Sequence, residues 1–168
     1  MKTVTTLVIT LFLIANRGNA QQFINQKDPF TGKQVKSAVV MLGGMIKNVG
    51  QQILFTENEG KKYISFMWMG NLPNVNFDKF DVSQCSLLLK MDTDTTFRFK
   101  ADPNTSKTIT SGIVINSEIT NDQLQFMSQH QVAIIRFGVK EDAGIDATYF
   151  TDKNKKEIQK AVLYFLKP

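Results

Sequence analysis

"LLLKMDTDTTFRFK", residues 87–100, decides how the chain is read. An apolar run ends at Asp92-Thr93-Asp94-Thr95, and the residues after it alternate: Phe97 and Phe99 point one way, Arg98 and Lys100 the other. Period-two alternation marks a strand. The stretch therefore reads as two strands joined by a tight turn, at whose tip Asp and Thr bond their own backbone. The competing reading is a parallel strand that hands an aspartate to a following helix. The two readings give different folds and different chemistry.

Working outward, "QQILFTENEGKKYISFMWMG" (51–70) is a second hairpin, two β-prone runs around Glu57-Asn58-Glu59-Gly60. Gln34 to Leu42 reads as a strand closed by Gly43-Gly44, with a polar lead-in ahead of it. Asn71 to Asn76, with Pro73, is a loop, as is "ADPNTSK" (101–107). Strands are expected over Val82 to Met91, Thr96 to Ala101, Ile109 to Ile119 and Val132 to Val139. A short helix runs from Thr120 to near Gln129, because Thr120-Asn121-Asp122-Gln123 has capping-box spacing. A last helix covers about Asp152 to Lys167, with Ile158, Ala161, Val162, Phe165 and Leu166 on one face and Lys153, Lys156, Lys160 and Lys167 on the other. The class is α+β: a mainly antiparallel sheet of about six or more strands, with one short helix and one C-terminal amphipathic helix packed on it.

Residues 1–20 differ in composition from the rest. Lys2, an apolar stretch from Val4 to Ala15 and the small-x-small Gly18-Asn19-Ala20 describe a secretory signal peptide, so a mature chain of one domain is expected to begin at Gln21 in a secreted or periplasmic setting. The apolar stretch is shorter than the ~20 residues of a membrane span. Losing Lys2 and Arg17 leaves eighteen basic residues against fifteen acidic ones, a net charge of +3. The cations are scattered along the sequence, so no nucleic-acid partner is expected. Cys85 is the only cysteine and shares a strand face with Leu87, Leu89 and Met91, which points to burial.

Asp92-Thr93-Asp94-Thr95 resembles the nucleophile motif of the haloacid dehalogenase superfamily, which transfers phosphoryl groups through an aspartate. That resemblance implies a parallel sheet, a helix after the motif, and a later lysine and acidic residues that hold magnesium. Strand alternation follows instead. A calcium loop would need Gly and an acid where Phe97 and Asn104 stand. His130 is the only histidine, which excludes multi-histidine metal sites, and no Gly-x-Ser-x-Gly elbow presents a nucleophile. "GGMIKNVG" (43–50) lacks the ending of a phosphate loop. Neither a cofactor nor a catalytic constellation is expected.

Two features remain as candidate sites. Phe66, Met67, Trp68 and Met69 put large soft side chains on both faces of one strand, the pattern of a central strand covered on both sides or of an apolar contact surface. Arg98 and Arg136 are the only arginines after residue 20, each between apolar strand residues, and suit ion pairs or a small anion contact.

The export signal, "QKDPFTGK" (26–33), "LLLKMDTDTTFRFK" and the capped helix with "QVAIIRF" together resemble small uncharacterised secreted or periplasmic proteins of Bacteroidota-type Gram-negative bacteria. The resemblance implies a stand-alone envelope domain. The expectation is a non-enzymatic binding or structural domain whose partner is a protein or a small apolar ligand. The alternatives are a small hydrolase or transferase with a site near His130 or Asp92 and Asp94, and an inhibitor or immunity-like partner of another exported protein.

Overall fold

A computed structural model describes residues 21–27, 32–42, 50–58, 60–69, 81–109, 112–139 and 144–167. The expected signal peptide, the Gly43-Gly44 closure and the loop at 71–76 lie outside them, as do the side chains of Met69 and of 144–149. The strands are β1 (Gln21–Lys27), β2 (Gln34–Met41), β3 (Gly50–Asn58), β4 (Lys61–Met69), β5 (Cys85–Met91), β6 (Thr96–Lys100), β7 (Lys107–Ile109), β8 (Gly112–Glu118), β9 (Val132–Val139) and β10 (Gly144–Tyr149). The helices are α1 (Asn121–Gln129) and α2 (Asp152–Leu166). Among the described residues the strands form two sheets, one of six in the order β1-β2-β3-β4-β8-β7 and one of four in the order β10-β9-β5-β6. Every pairing is antiparallel.

The opening stretch is a hairpin. Met91 N–H donates to Thr95 O at 2.8 Å and Asp94 takes the turn's left-handed position at φ 63°. Asp92 N–H donates to Gln131 O at 2.9 Å, and Gln131 N–H donates back to Asp92 Oδ2 at 3.1 Å, so the tip is fastened to the junction of α1 and β9. The fold class expected from the sequence is the one observed, with four differences, the first being that the single strand expected over Ile109 to Ile119 is two strands, β7 and β8, paired with each other. The polar lead-in is strand β1, which needs little apolar content because it is an edge strand paired along its length with β2. Residues 144–149 are strand β10. Val82–Gln84 is a 3₁₀ turn, because the Asp81 carboxylate accepts from Ser83 N–H and curls the chain before β5 begins.

One apolar cluster joins everything. Val40, Ile53, Phe55, Ile64 and Phe66 from the large sheet meet Leu87, Leu89, Met91, Ile135 and Phe137 from the small one, together with Leu124 and Met127 of α1 and Ile158, Ala161, Val162 and Phe165 of α2. The sheets touch where β8 meets β5 and β6, and there Ser117 Oγ donates to Lys100 O at 2.6 Å. Away from that seam α2 packs on β2, β3, β9 and α1, filling the wedge between the sheets. Both helices start on Thr caps: α1 carries the full capping box of Thr120 and Gln123, and at α2 Thr151 Oγ1 accepts from Asn154 N–H. The other face of the large sheet holds a second buried cluster of Val39, Leu54, Met67 and Val114. Ser37 and Gln52 are buried on that same face, with Ser37 Oγ and Gln52 Oε1 unpartnered.

Candidate functional site

Four places merit weighing. The first is the strand Phe66 to Met69. Here β4 is a central strand between β3 and β8. Phe66 lies in the main core and Met67 in the second cluster, both buried, while Trp68 is half-buried against the main core. Phe66 and Met67 therefore offer no exposed apolar patch. Met69's side chain lies outside the described residues.

The second is His130 with the turn aspartates. The fold brings His130 Nδ1 to 3.7 Å from Asp92 Oδ1, and sets the imidazole against Phe126 with ring centroids 4.5 Å apart. Asp94 turns instead to Lys90, whose Nζ lies 2.8 Å away and whose hydrogen bond, and then its charge, hold the Asp94 carboxyl below the usual carboxylate range. Thr93 Oγ1 donates to Thr95 Oγ1 at 3.3 Å. Among the described residues no three His, Cys, Asp or Glu side chains come together as metal ligands. A base and a nearby carboxylate are present, but among the described residues no nucleophile is hydrogen-bonded to them.

A groove of about 830 Å³ opens at the end of the large sheet, lined by Lys33, Lys36, Lys62 and Lys167 with Asn25 and Glu57 among the other walls. It is concave and basic, yet Lys36 and Lys62 are committed. Lys36 Nζ donates to Lys167 O at 2.5 Å, and Lys62 Nζ donates to Phe165 O at 3.1 Å and Asn121 Oδ1 at 3.0 Å. The last turn of α2 has no basic residue of its own, so these sheet lysines complement its free carbonyls. The groove is first of all a helix cap.

The fourth place is the outer face of the small sheet. Leu88 of β5 pairs with Arg98 of β6 on one side and with Arg136 of β9 on the other. Two arginines separated by 38 positions in sequence thus stand in one row, their Cα atoms about 10 Å apart by the ordinary strand spacing. Both are exposed, Leu88 is half-buried between them, and neither guanidinium has an ion-pair or hydrogen-bond partner among the described residues. Lys100 and Lys90 stand on the same face, in the rows to either side. At β10 the register slips between Ile145 and Thr148, a bulge that leaves Asp146 and Ala147 opposite Arg136 along the backbone.

No family model, curated protein or solved structure matches the chain. The site is therefore read from its own geometry. Sequence singled out Arg98 and Arg136 one at a time; it missed that they are neighbours, and it missed Lys90 and Lys100 beside them. Alternation placed Arg98 and Lys100 on one strand face, but only the pairing of β5 with both β6 and β9 gathers the four cations.

Proposed function

We propose that this chain is an exported, non-enzymatic binding domain of the cell envelope that holds an anionic partner on the outer face of β6, β5 and β9. One observation carries the reading: Arg98 and Arg136 flank Leu88 in a single register row, exposed and without a partner among the described residues. A structural arginine pair would be ion-paired; unpaired guanidinium forks on a rigid sheet are arranged for a carboxylate or phosphate from outside. Leu88, paired with both arginines along the backbone, is an apolar neighbour that lowers the local dielectric, which strengthens the contact. The aromatic residues of β6, Phe97 and Phe99, point to the other face, so the stacking platforms typical of single-stranded nucleic-acid sites are missing from this strand.

Export is supported by the composition of residues 1–20 and by the small-x-small Gly18-Asn19-Ala20. Ala20→Glu is expected to leave a larger, unprocessed form; a mature terminus at Gln21 from that variant sinks the export reading.

The binding surface is tested on an immobilised polyanion such as dextran sulfate. The wild-type domain should elute at higher salt than Arg98→Gln/Arg136→Gln. Lys153→Gln/Lys156→Gln removes the same charge from the exposed face of α2 and should elute close to wild type. Equal shifts for the two double variants would mean that net charge alone governs retention, and the site would be withdrawn.

A further inference from the structure

The alternation of hydrogen bonds across the large sheet determines which backbone groups of β1 are left over. Leu42 N–H donates to Gln51 O at 2.9 Å and Met41 lies opposite Gln52, so the even-numbered residues of β2 bond β3 and the odd-numbered ones turn to β1. There Ser37 and Val39 face Ile24 and Gln22, which leaves the N–H and C=O groups of Phe23 and Asn25 pointing away from the sheet. Tyr164 does not cover them, because its hydroxyl donates to the carbonyl of Ile24. Phe23, Asn25, Gln26 and Lys27 are exposed, Phe23 at 43%.

Edge strands are ordinarily guarded against further pairing by shortness, charge, proline or a bulge. The other edges of the described sheets are guarded: β7 has three residues, β6 carries Arg98 and Lys100 among its five, and β10 slips register against β9. By contrast, β1 runs seven residues in unbroken register with β2, has no proline, and has Lys27 as its one charged side chain. We propose that the free edge of β1 pairs with β1 of a second copy of this chain, antiparallel about a two-fold axis at Ile24, joining two six-stranded sheets into one. That axis sets Phe23 opposite Asn25 of the other copy, so the leftover groups of both chains meet as hydrogen-bonded pairs, with Ile24 facing Ile24 between them. It also sets Lys27 opposite Gln21 rather than against itself, which a parallel pairing would not do. The helices leave room for the contact. Helix α2 lies over β2 and β3, and β2 would stand three strand spacings, about 14 Å, from its counterpart, more than the roughly 8–10 Å between packed helices.

Sedimentation velocity of the protein should move from the monomer's mass toward twice that mass as its concentration rises to about 1 mM, a range that registers even a weak association. Asn25→Pro removes a free-edge N–H and no bond to β2, so it should keep the circular dichroism spectrum and weaken self-association at least about tenfold. Cysteines read the register. Ile24→Cys brings two thiols face to face at the axis, within disulfide reach, whereas Gln26→Cys sets them about 14 Å apart along the strands. Mild oxidation should therefore link Ile24→Cys chains into covalent pairs at least about tenfold faster than Gln26→Cys chains, while the buried Cys85 stays unreacted. This comparison keeps the test open if Asn25→Pro misfolds. A monomer at every concentration, or covalent pairing at equal rates in the two cysteine variants, overturns the proposal. A folded Asn25→Pro that associates like the wild type also overturns it, because the contact then lies elsewhere.

Discussion

Asp94 shows how much a single turn position asks of its residue. Its φ of 63° lies in the left-handed region, which Asp tolerates, glycine prefers and β-branched residues resist. Asp94→Gly is expected to leave thermal stability nearly unchanged, whereas Asp94→Val should lower it by about 1–2 kcal/mol; an equal loss in both would mean that the Lys90 contact, not the backbone, matters. That contact depresses the folded carboxyl's pKa, first through the Lys90 hydrogen bond and then through its charge. Its contribution is therefore present above the unfolded carboxylate's pKa and is lost as pH falls through the folded one. Asp94 was legible from sequence as a turn residue because Asp and Thr at a strand end carry a local mechanism. Arg98 and Arg136 were legible as unusual but not as neighbours, since register between distant strands leaves no periodic trace.

Helix α2 was legible almost to the residue, because a 3.6-residue stripe records which face is buried. Ile158, Ala161, Val162 and Phe165 are all buried, and the Phe165 ring lies 6.1 Å from that of Phe55 on β3. Phe165→Ala should cost about 3–5 kcal/mol, measured by urea melts, as for other buried phenylalanines; a loss under about 1 kcal/mol would show that α2 does not anchor the wedge. By contrast, β1 was illegible. "QQFINQK" has no apolar alternation, and it is a strand because β2 offers it a free edge and because Tyr164 of α2 receives Phe23 at 4.7 Å and donates its hydroxyl to Ile24 O. Tertiary partners made that strand, and a sequence window does not contain them.

At the scale of the molecule, one apolar cluster spans both sheets and both helices, so the described residues should unfold as a single unit. Two native probes report on it. Trp68 packs half-buried against that cluster, so its emission should be blue-shifted in the folded state and move to the red on unfolding. Cys85 is buried, and desolvation, with a smaller push from Asp81, raises its thiol to about 12, so it should resist thiol reagents at pH 8 until the fold opens. Trp68 emission, Cys85 labelling and far-ultraviolet circular dichroism should share one denaturation midpoint. Separate midpoints would show that the two sheets come apart independently.

Filling the wedge with the last helix also sets an order in time. A chain leaves the ribosome from its N-terminus, so β2 and β3 are made long before Phe165 exists to cover Ala38 and Phe55. Until residues 152–166 emerge, those strands present apolar sides with nothing to close on, the condition under which nascent sheets pair with one another. The domain can be completed only after residues 152–166 have been made, and a stop codon a few residues before Phe165 should yield aggregate rather than a shortened fold.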